Sequence, residues 1–497
     1  MRSDPASIPV SRQSPGGASR PFVPGAWGAS SILVFLVVVL TLSIRAGQLL
    51  NDPDSQWHMA IGRWIVAHRT VPWTDLFSHT FAGSPWIAKE WASQVLFYGA
   101  YAVAGWWGVC MLTILVVAGS LAGLHLWLQC RVSATAALLA ITAVFVVLAP
   151  HLLARPHILT VPVLLVWMTG LVAALERGRA PSFWLIPVMV AWANLHGSYP
   201  IGLVIAGILA GEGVLSGSRS EWIGRALRWA RFLALATVAS CLTPYGYVPF
   251  LVNLGLFNSG ESLPFIDEWQ PLGLNGAGIL AVAMFIGSIV LLLTAPRKTL
   301  FRLGVVTLLG VMMIRHARFA DLFVLAAPIL VAGPAMARFP ALRGAPTIAA
   351  SRGLGLIILA CTVAAITMAA LVSPRPSEAM TPQAALDAAR ALRLTGPVYN
   401  DYDFGGFLIR SGVPTFIDGR SDQLFLGGFM NGLDRALAAS EPERFAALLA
   451  RYRVTWALVR REGRSADQLR RLEGWRLLHE DETAAVYHQA GDAPAAR

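Results

Sequence analysis

From residue 27 to residue 372 the chain is a succession of apolar runs separated by short polar turns. Each run approaches the roughly 20 residues that a helix needs to cross a bilayer. Backbone in hydrocarbon must satisfy its own hydrogen bonds, so spans of this kind fold as helices packed on helices. The runs fall at 27–49, 107–128, 133–149, 157–175, 181–195, 199–216, 229–245, 276–295, 301–314, 318–336 and 353–372, about eleven in all. Composition agrees, since 56% of residues are hydrophobic and 13% charged, about half the charged share of a soluble protein. The expected fold class is an α-helical polytopic membrane protein with a small C-terminal α/β domain.

The net charge of +11 invites a nucleic-acid reading, which its distribution opposes. From Ser373 onward 16 arginines balance 16 acidic residues, so the excess lies wholly in the apolar part. With the N-terminus inside, inner segments carry 16 basic residues and outer loops and span ends carry 7, the sign that the positive-inside rule requires. Residues 1–26, rich in Ser, Pro, Gly and Arg, read as a disordered cytoplasmic tail. An odd span count then places the C-terminal part on the outer side. Cys110, Cys130, Cys241 and Cys361 show neither metal-ligand spacing nor a disulfide framework.

The polar residues that remain collect on the outer face. Asn51–Ala92, within a first outer loop at 50–106, begins with the acidic pair Asp52 and Asp54 directly after the first span. Trp57, Ala60, Ile61, Trp64 and Ile65 then recur at helical spacing, predicting an amphipathic surface helix with His58 and Arg63 off its stripe. Residues 91–105 predict a second surface helix leading into the next span. A carboxylate pair at a water–lipid boundary is costly to keep without a role. Asp54 reads either as the N-cap of the helix or as a base whose pKa burial raises; Asp52 has less reason to be a cap. An Asp-x-Asp pair also suits Mg²⁺ or Mn²⁺ through oxygens.

Other outer residues read as candidate ligands. His58, four residues after Asp54, either pairs with it or faces water. Lys89 reads as a phosphate ligand, as a partner of Glu90, or as a surface charge. Arg155 and His157 flank Pro156, His196 sits in a turn, and Arg315, His316 and Arg318 form another. Arginines there oppose the positive-inside bias and fit either a lipid-linked phosphate or ordinary headgroups. Asp267 and Glu268 offer a further acidic contact, or simply flank an interfacial Trp269 anchor. The walls around the acidic loop are expected from 150–157, 194–199, 246–275 and 315–318.

Residues 373–497 form a separate α/β unit on the outer surface. Pro382–Leu394 and Phe445–Tyr452 predict helices; Pro397–Asn400, Gly406–Ile409, Thr415–Ile417 and Trp456–Val459 predict strands, and Trp475–His488 a hairpin. Asn400–Gly406 and Asp418–Arg420 are Asp/Gly clusters that read as turns or as acceptor recognition. The unit shows no phosphate-loop or zinc pattern, and no organic cofactor is expected.

NDPDSQWHMAIGRW, VPWTDLFSHT, the KEW segment, WANLHGSY and DFGGFLIRSGVPTFIDGR together resemble the GT-C class of integral-membrane glycosyltransferases. Within it they look like a branch of bacterial glycosyltransferase-like membrane proteins. The loop motifs differ from those of the lipid A and protein-mannosylating branches. The resemblance implies a sugar donor on a polyprenyl phosphate or pyrophosphate, a lipid, glycan or protein acceptor, and an outer-face site in a bacterial inner membrane. It places the catalytic carboxylate at Asp54, with Asp52 as its partner, as base or metal ligand. Two other classes compete: a transporter or flippase, which should show repeat-related halves, and a non-catalytic assembly protein.

Overall fold

The computed structural model describes residues 29–257, 269–296, 299–342, 352–426, 428–438 and 442–490. Helix is present at each of the predicted apolar runs. Among the described residues five helices are long and apolar enough to cross a membrane: Trp91–Gln129, Ala134–His151, Pro156–Glu176, Gly276–Thr294 and Ala317–Arg338. Ala29–Ile44, Leu185–Leu195 and Tyr199–Leu215 are shorter apolar helices beside them. One buried apolar cluster runs through these helices, with Trp167, Trp192, Phe232 and Phe323 at its centre. Leu139, Val166, Leu227, Val238, Ile286 and Leu293 stay exposed on their outer faces, as suits a solvent of lipid tails.

Two boundaries need physical comment. The run expected at 229–245 is the helix Trp222–Ser240. Apolar length alone stops at Arg225 and Arg228, which lie in the helix's first two turns; there Arg225 pairs with Glu221 at 3.2 Å. Within Trp91–Gln129 the backbone breaks at Ala104 and Gly105, where Gly105 takes φ 59°. That left-handed step needs glycine. It separates a first arm, matching the expected second surface helix, from the apolar remainder.

The first surface helix is Asp54–His68. Its stripe does not face lipid. Trp57, Ile61 and Ile65 are buried in a second cluster with Ile409, Phe416, Ile417 and Phe425 of the C-terminal unit. An amphipathic stripe reads the same from sequence whether protein or membrane covers it.

The C-terminal unit carries a four-stranded sheet of β1 (Val398–Asn400), β2 (Trp456–Arg460), β3 (Trp475–Glu480) and β4 (Ala484–Gln489) in the order β1-β2-β4-β3. β1 and β2 run parallel, and the other pairs antiparallel. Helices cover both faces. Ala457 and Val459 point to the cluster with Phe445 and Leu469, and Trp456 and Leu458 to one with Leu386, Phe404 and Phe407.

Two expected strands are absent. Gly406–Ile409 belongs to the helix Gly405–Arg410, because a short apolar run does not distinguish buried helix from buried strand. Thr415–Ile417 is no strand: Thr415 makes an isolated bridge outside the sheet, and the backbone bends at Phe416 and Ile417. Thr415 bridges Ser78 of the first outer loop, with the Thr415 amide donating to Phe77 O at 3.0 Å and the His79 amide donating to Thr415 O at 2.9 Å.

A buried ionic latch fixes the same junction. Arg420 donates from Nε to Asp418 Oδ1 and from Nη2 to Asp418 Oδ2, both at 2.8 Å, and from Nη1 to Asp75. All three side chains are fully buried, and the guanidinium lies over Trp86 at 5.2 Å. The Asp418–Arg420 cluster is therefore a structural joint. Arg420→Met leaves two buried carboxylates without their cation and is expected to cost about 3–5 kcal/mol. The measurement is the thermal midpoint in detergent together with protease cleavage near 373–382; an unchanged midpoint refutes the latch.

Candidate active site

The acidic pair sits where the first apolar helix gives way to the helix Asp54–His68, and the two carboxylates have different surroundings. Asp52 is 2% exposed. Its Oδ1 accepts from the Asp54 amide at 3.2 Å, and its Oδ2 from the Ser55 hydroxyl at 3.1 Å. Arg155 donates to both oxygens, from Nε and Nη2. Asp52 therefore takes the helix-start hydrogen bond that was one of the two readings of Asp54, while Asp54 is the first residue inside the helix. The Ser55 hydroxyl also donates to Ala154 O at 3.0 Å, and the Ala154 amide to Leu49 O at 2.8 Å. The loop that delivers Arg155 is thus stitched to the acidic turn.

Asp54 is held more lightly. Its Oδ1 accepts the Trp57 indole N–H at 2.9 Å, and Arg155 Nη2 lies 2.9 Å from Oδ2. Burial pushes its pKa up to about 7; Arg155 pulls against that rise, and Asp52 adds to it. A carboxyl that titrates near neutrality is matched to general-base work.

The C-terminal unit closes over this carboxylate by backbone alone. A β-carbon on Gly419 would lie 1.8 Å from Asp54 Oδ1 and 2.7 Å from Trp57 Nε1, and one on Gly406 would lie 2.0 Å from Pro53 O. Only glycine lets the two segments approach so closely.

Asp52, Asp54, His58, Lys89, Glu90, Arg155, His157, His196 and Arg318 all line one cavity of about 1610 Å³. His58 is buried rather than on a wet face. It pairs with Gln94, at 3.3 Å from Nδ1, and approaches Glu90 at 3.9 Å; Asp54 is not its partner. Burial, and then Arg155, hold its pKa well below the usual histidine range, so the ring is neutral. Glu90 stands 3.3 Å from His196 Nε2. Burial pushes Glu90 up to about 7, and burial pushes His196 well down. His157 lies 3.8 Å from Asp321. Lys89 pairs with Asp422 and donates to Asn253 Oδ1 at 3.4 Å; it does not pair with Glu90.

Arg318 is different. It stacks over Trp269 at 4.6 Å, and no carboxylate lies within salt-bridge distance among the described residues. Arg315 and His316 do not line the cavity. Arg315 is exposed, and His316 Nδ1 is tied to Trp269 O at 2.7 Å. At the end of a helix, neighbours one residue apart face different ways. Asp267 and Glu268 lie outside the described residues.

Two lining residues went unnoticed in the sequence. Asp321 stands inside an apolar run, and a charge in a span is itself a signal of function. Asp422 carries no such mark, because only the fold brings the C-terminal unit over the loop.

A divalent cation does not fit the acidic pair as arranged. Arg155 occupies the place between the two carboxylates. Among the described residues no group of three His, Cys, Asp or Glu side chains is placed to hold a metal.

Neither a protein-family model nor a curated protein sequence matches the chain. Solved structures do. ArnT from Cupriavidus metallidurans in the apo state aligns with TM-score 0.50 at 16% identity, covering 92% of this chain and 97% of that one. The same protein bound to undecaprenyl phosphate aligns with TM-score 0.49 at 15% identity, covering 94% and 99%. ArnT is a GT-C glycosyltransferase. This chain has a GT-C-like fold. The resemblance read from the acidic loop thus holds for the architecture of nearly the whole chain.

Within that GT-C-like frame the Gly419–Asp54 contact is testable. Gly419→Ala is expected to force Asp54 off Trp57 and to cost about 1–3 kcal/mol. In a double-mutant cycle with Trp57→Phe, unfolding should reveal a coupling of about 0.5–3 kcal/mol; strict additivity refutes the contact.

Proposed function

We propose that the protein is a GT-C-type membrane glycosyltransferase taking its sugar from a polyprenyl-phosphate-linked donor on the outer face of a bacterial inner membrane. One observation carries this reading. A single cavity joins an apolar half, lined by Leu164, Ile201, Val204, Leu308, Leu322 and Leu325, to a polar half holding Asp54 and Arg318, whose guanidinium is in no close ion pair among the described residues. A lipid chain, an anionic head and a reacting hydroxyl have complementary surfaces there. The outer-face assignment rests on the charge asymmetry of the loops.

In the proposed step Asp54 takes the proton of the acceptor hydroxyl. The hydroxyl oxygen then forms a bond to the anomeric carbon of the donor. The bond from that carbon to the phosphate oxygen breaks, and its electron pair leaves with the lipid phosphate. Arg318 meets the phosphate charge, with Lys89 nearby on the same wall. Arg155 keeps Asp54 oriented, and Asp52 anchors Arg155. No step runs through a metal, since the guanidinium fills the acidic pair.

The pH dependence follows from the base. Asp54 works only as carboxylate, so activity should be low at acid pH and rise through about 7. Glu90 titrates in the same region, so the profile is to be compared with that of Glu90→Gln, which should keep the rise. Asp54→Asn is expected to lower consumption of a radiolabelled polyprenyl-phosphate sugar by about 10²–10⁴-fold with expression intact. Full activity in that variant removes the proposal. Arg318→Ala should weaken the transition state by about 10²–10³-fold and reduce binding of undecaprenyl phosphate itself; unchanged binding would separate Arg318 from the phosphate.

A further inference from the structure

The cavity does not end at Asp54. It continues under the C-terminal unit past Tyr402 to Asp403, Met430, Asp434, Arg460 and Arg464. The two ends differ in how their charge is settled. On the side of the apolar helices, Arg318 has no carboxylate within salt-bridge distance among the described residues; Glu90, Asp422 and Asp54 act on it from farther away. On the C-terminal side each charged lining group among the described residues has an ion-pair or hydrogen-bond partner. Arg460 pairs with Asp403, and Arg464 with Asp434 at 2.7 Å. Asp401 accepts from the Ser465 hydroxyl and, at 2.7 Å, from the Arg460 amide. Among the described residues this compartment offers an ionic ligand no cation outside an ion pair, and no carboxylate without a partner.

The two ion pairs are also open to solvent. Side-chain exposure is 45% for Arg460 and 33% for Asp403, and 59% for Arg464 and 36% for Asp434. Exposed pairs of this kind contribute little to stability. They do present fixed N–H donors beside carboxylate acceptors, the set that vicinal hydroxyls satisfy. Met430 and Leu433, on the helix Phe429–Ala438, add apolar surface for the C–H face of a ring.

Resting on the glycosyltransferase reading, we propose that this compartment is the acceptor subsite and that it takes an uncharged, polyhydroxylated glycan. The acceptor then enters from the C-terminal side and the lipid donor from between the helices, with Asp54 between them. Among the described residues a phosphorylated or uronic acceptor meets no cation outside an ion pair here, and an amino sugar meets only carboxylates that already have partners.

The test uses the full-length protein in detergent and saturation-transfer NMR with three probes of equal length. These are a neutral maltotetraose, an anionic oligogalacturonate and a cationic chitosan oligomer. The neutral probe should bind and the charged ones should not. Arg464→Ala and Asp403→Ala should each weaken the neutral probe by about tenfold, the loss of one charge-assisted contact, without lowering the thermal midpoint. No binding of the neutral probe, preference for a charged one, or binding indifferent to both variants overturns the inference. Asp54→Asn should bind the neutral probe as the wild type does. Donor consumption by that variant tests the base, so failure of the function and failure of the subsite are read separately.

Discussion

One guanidinium organises the polar end of this molecule. Arg155 donates to both oxygens of Asp52 and reaches Asp54 at 2.9 Å. Two carboxylates two residues apart at a buried turn repel each other, and neither tolerates burial uncompensated. The shared cation relieves both costs, but unequally. Asp52 receives a bidentate pairing in addition to two local hydrogen bonds and becomes part of the scaffold. Asp54 receives one arm of the guanidinium and one indole N–H, which leaves its ionisation near neutral pH. The asymmetry between the two residues, on which the proposed choice of base rests, is set by one side chain arriving from a loop about a hundred positions away.

The same economy governs the cavity as a whole. Low dielectric makes every unpaired charge expensive, and nearly every cation along the wall has its anion: Arg155 with the acidic pair, Lys89 with Asp422, Arg460 with Asp403, Arg464 with Asp434. Against that background Arg318 stands out: among the described residues it is in no close ion pair, and it stacks on the Trp269 ring while Glu90, Asp422 and Asp54 act on it from farther away. The histidines add no positive charge near Glu90, because burial keeps His58 and His196 neutral. What distinguishes one part of the cavity from another is therefore where charge is left over, more than which residue types are present.

Much of the architecture is legible in the sequence because lipid imposes a strict rule. Apolar runs of span length leave helix as the only economical backbone state, and each run is helical. The polar residues of one membrane face were visible for the same reason, since charge is conspicuous at a hydrocarbon boundary. Their division of labour was not. Capping propensity favours Asp at a helix start without saying which of two aspartates serves, and the structure gives that task to Asp52. The surface stripe of Trp57, Ile61 and Ile65 was legible as an apolar face, but not what would cover it. In the C-terminal unit the runs Gly406–Ile409 and Thr415–Ile417 misled for two reasons. The first is too short to show a period, and the second finds its partner at Ser78, which no local pattern encodes.

The least legible feature is a pair of glycines. In the sequence, Gly406 and Gly419 belong to Asp/Gly clusters that read as turns, and turn residues they partly are. Their decisive property is what they lack. At each, a single β-carbon would occupy space held by Pro53 O or by the Asp54 carboxylate. The buried Arg420–Asp418–Asp75 latch presses the same segment onto the first outer loop. Removing water from around Asp54 is what raises its pKa, and part of that exclusion comes from backbone contributed more than 350 residues downstream. The C-terminal unit is in this sense a wall of the site. A GT-C-like bundle without it would still carry Asp52, Asp54 and Arg155, but the carboxylate would be wetter and more acidic.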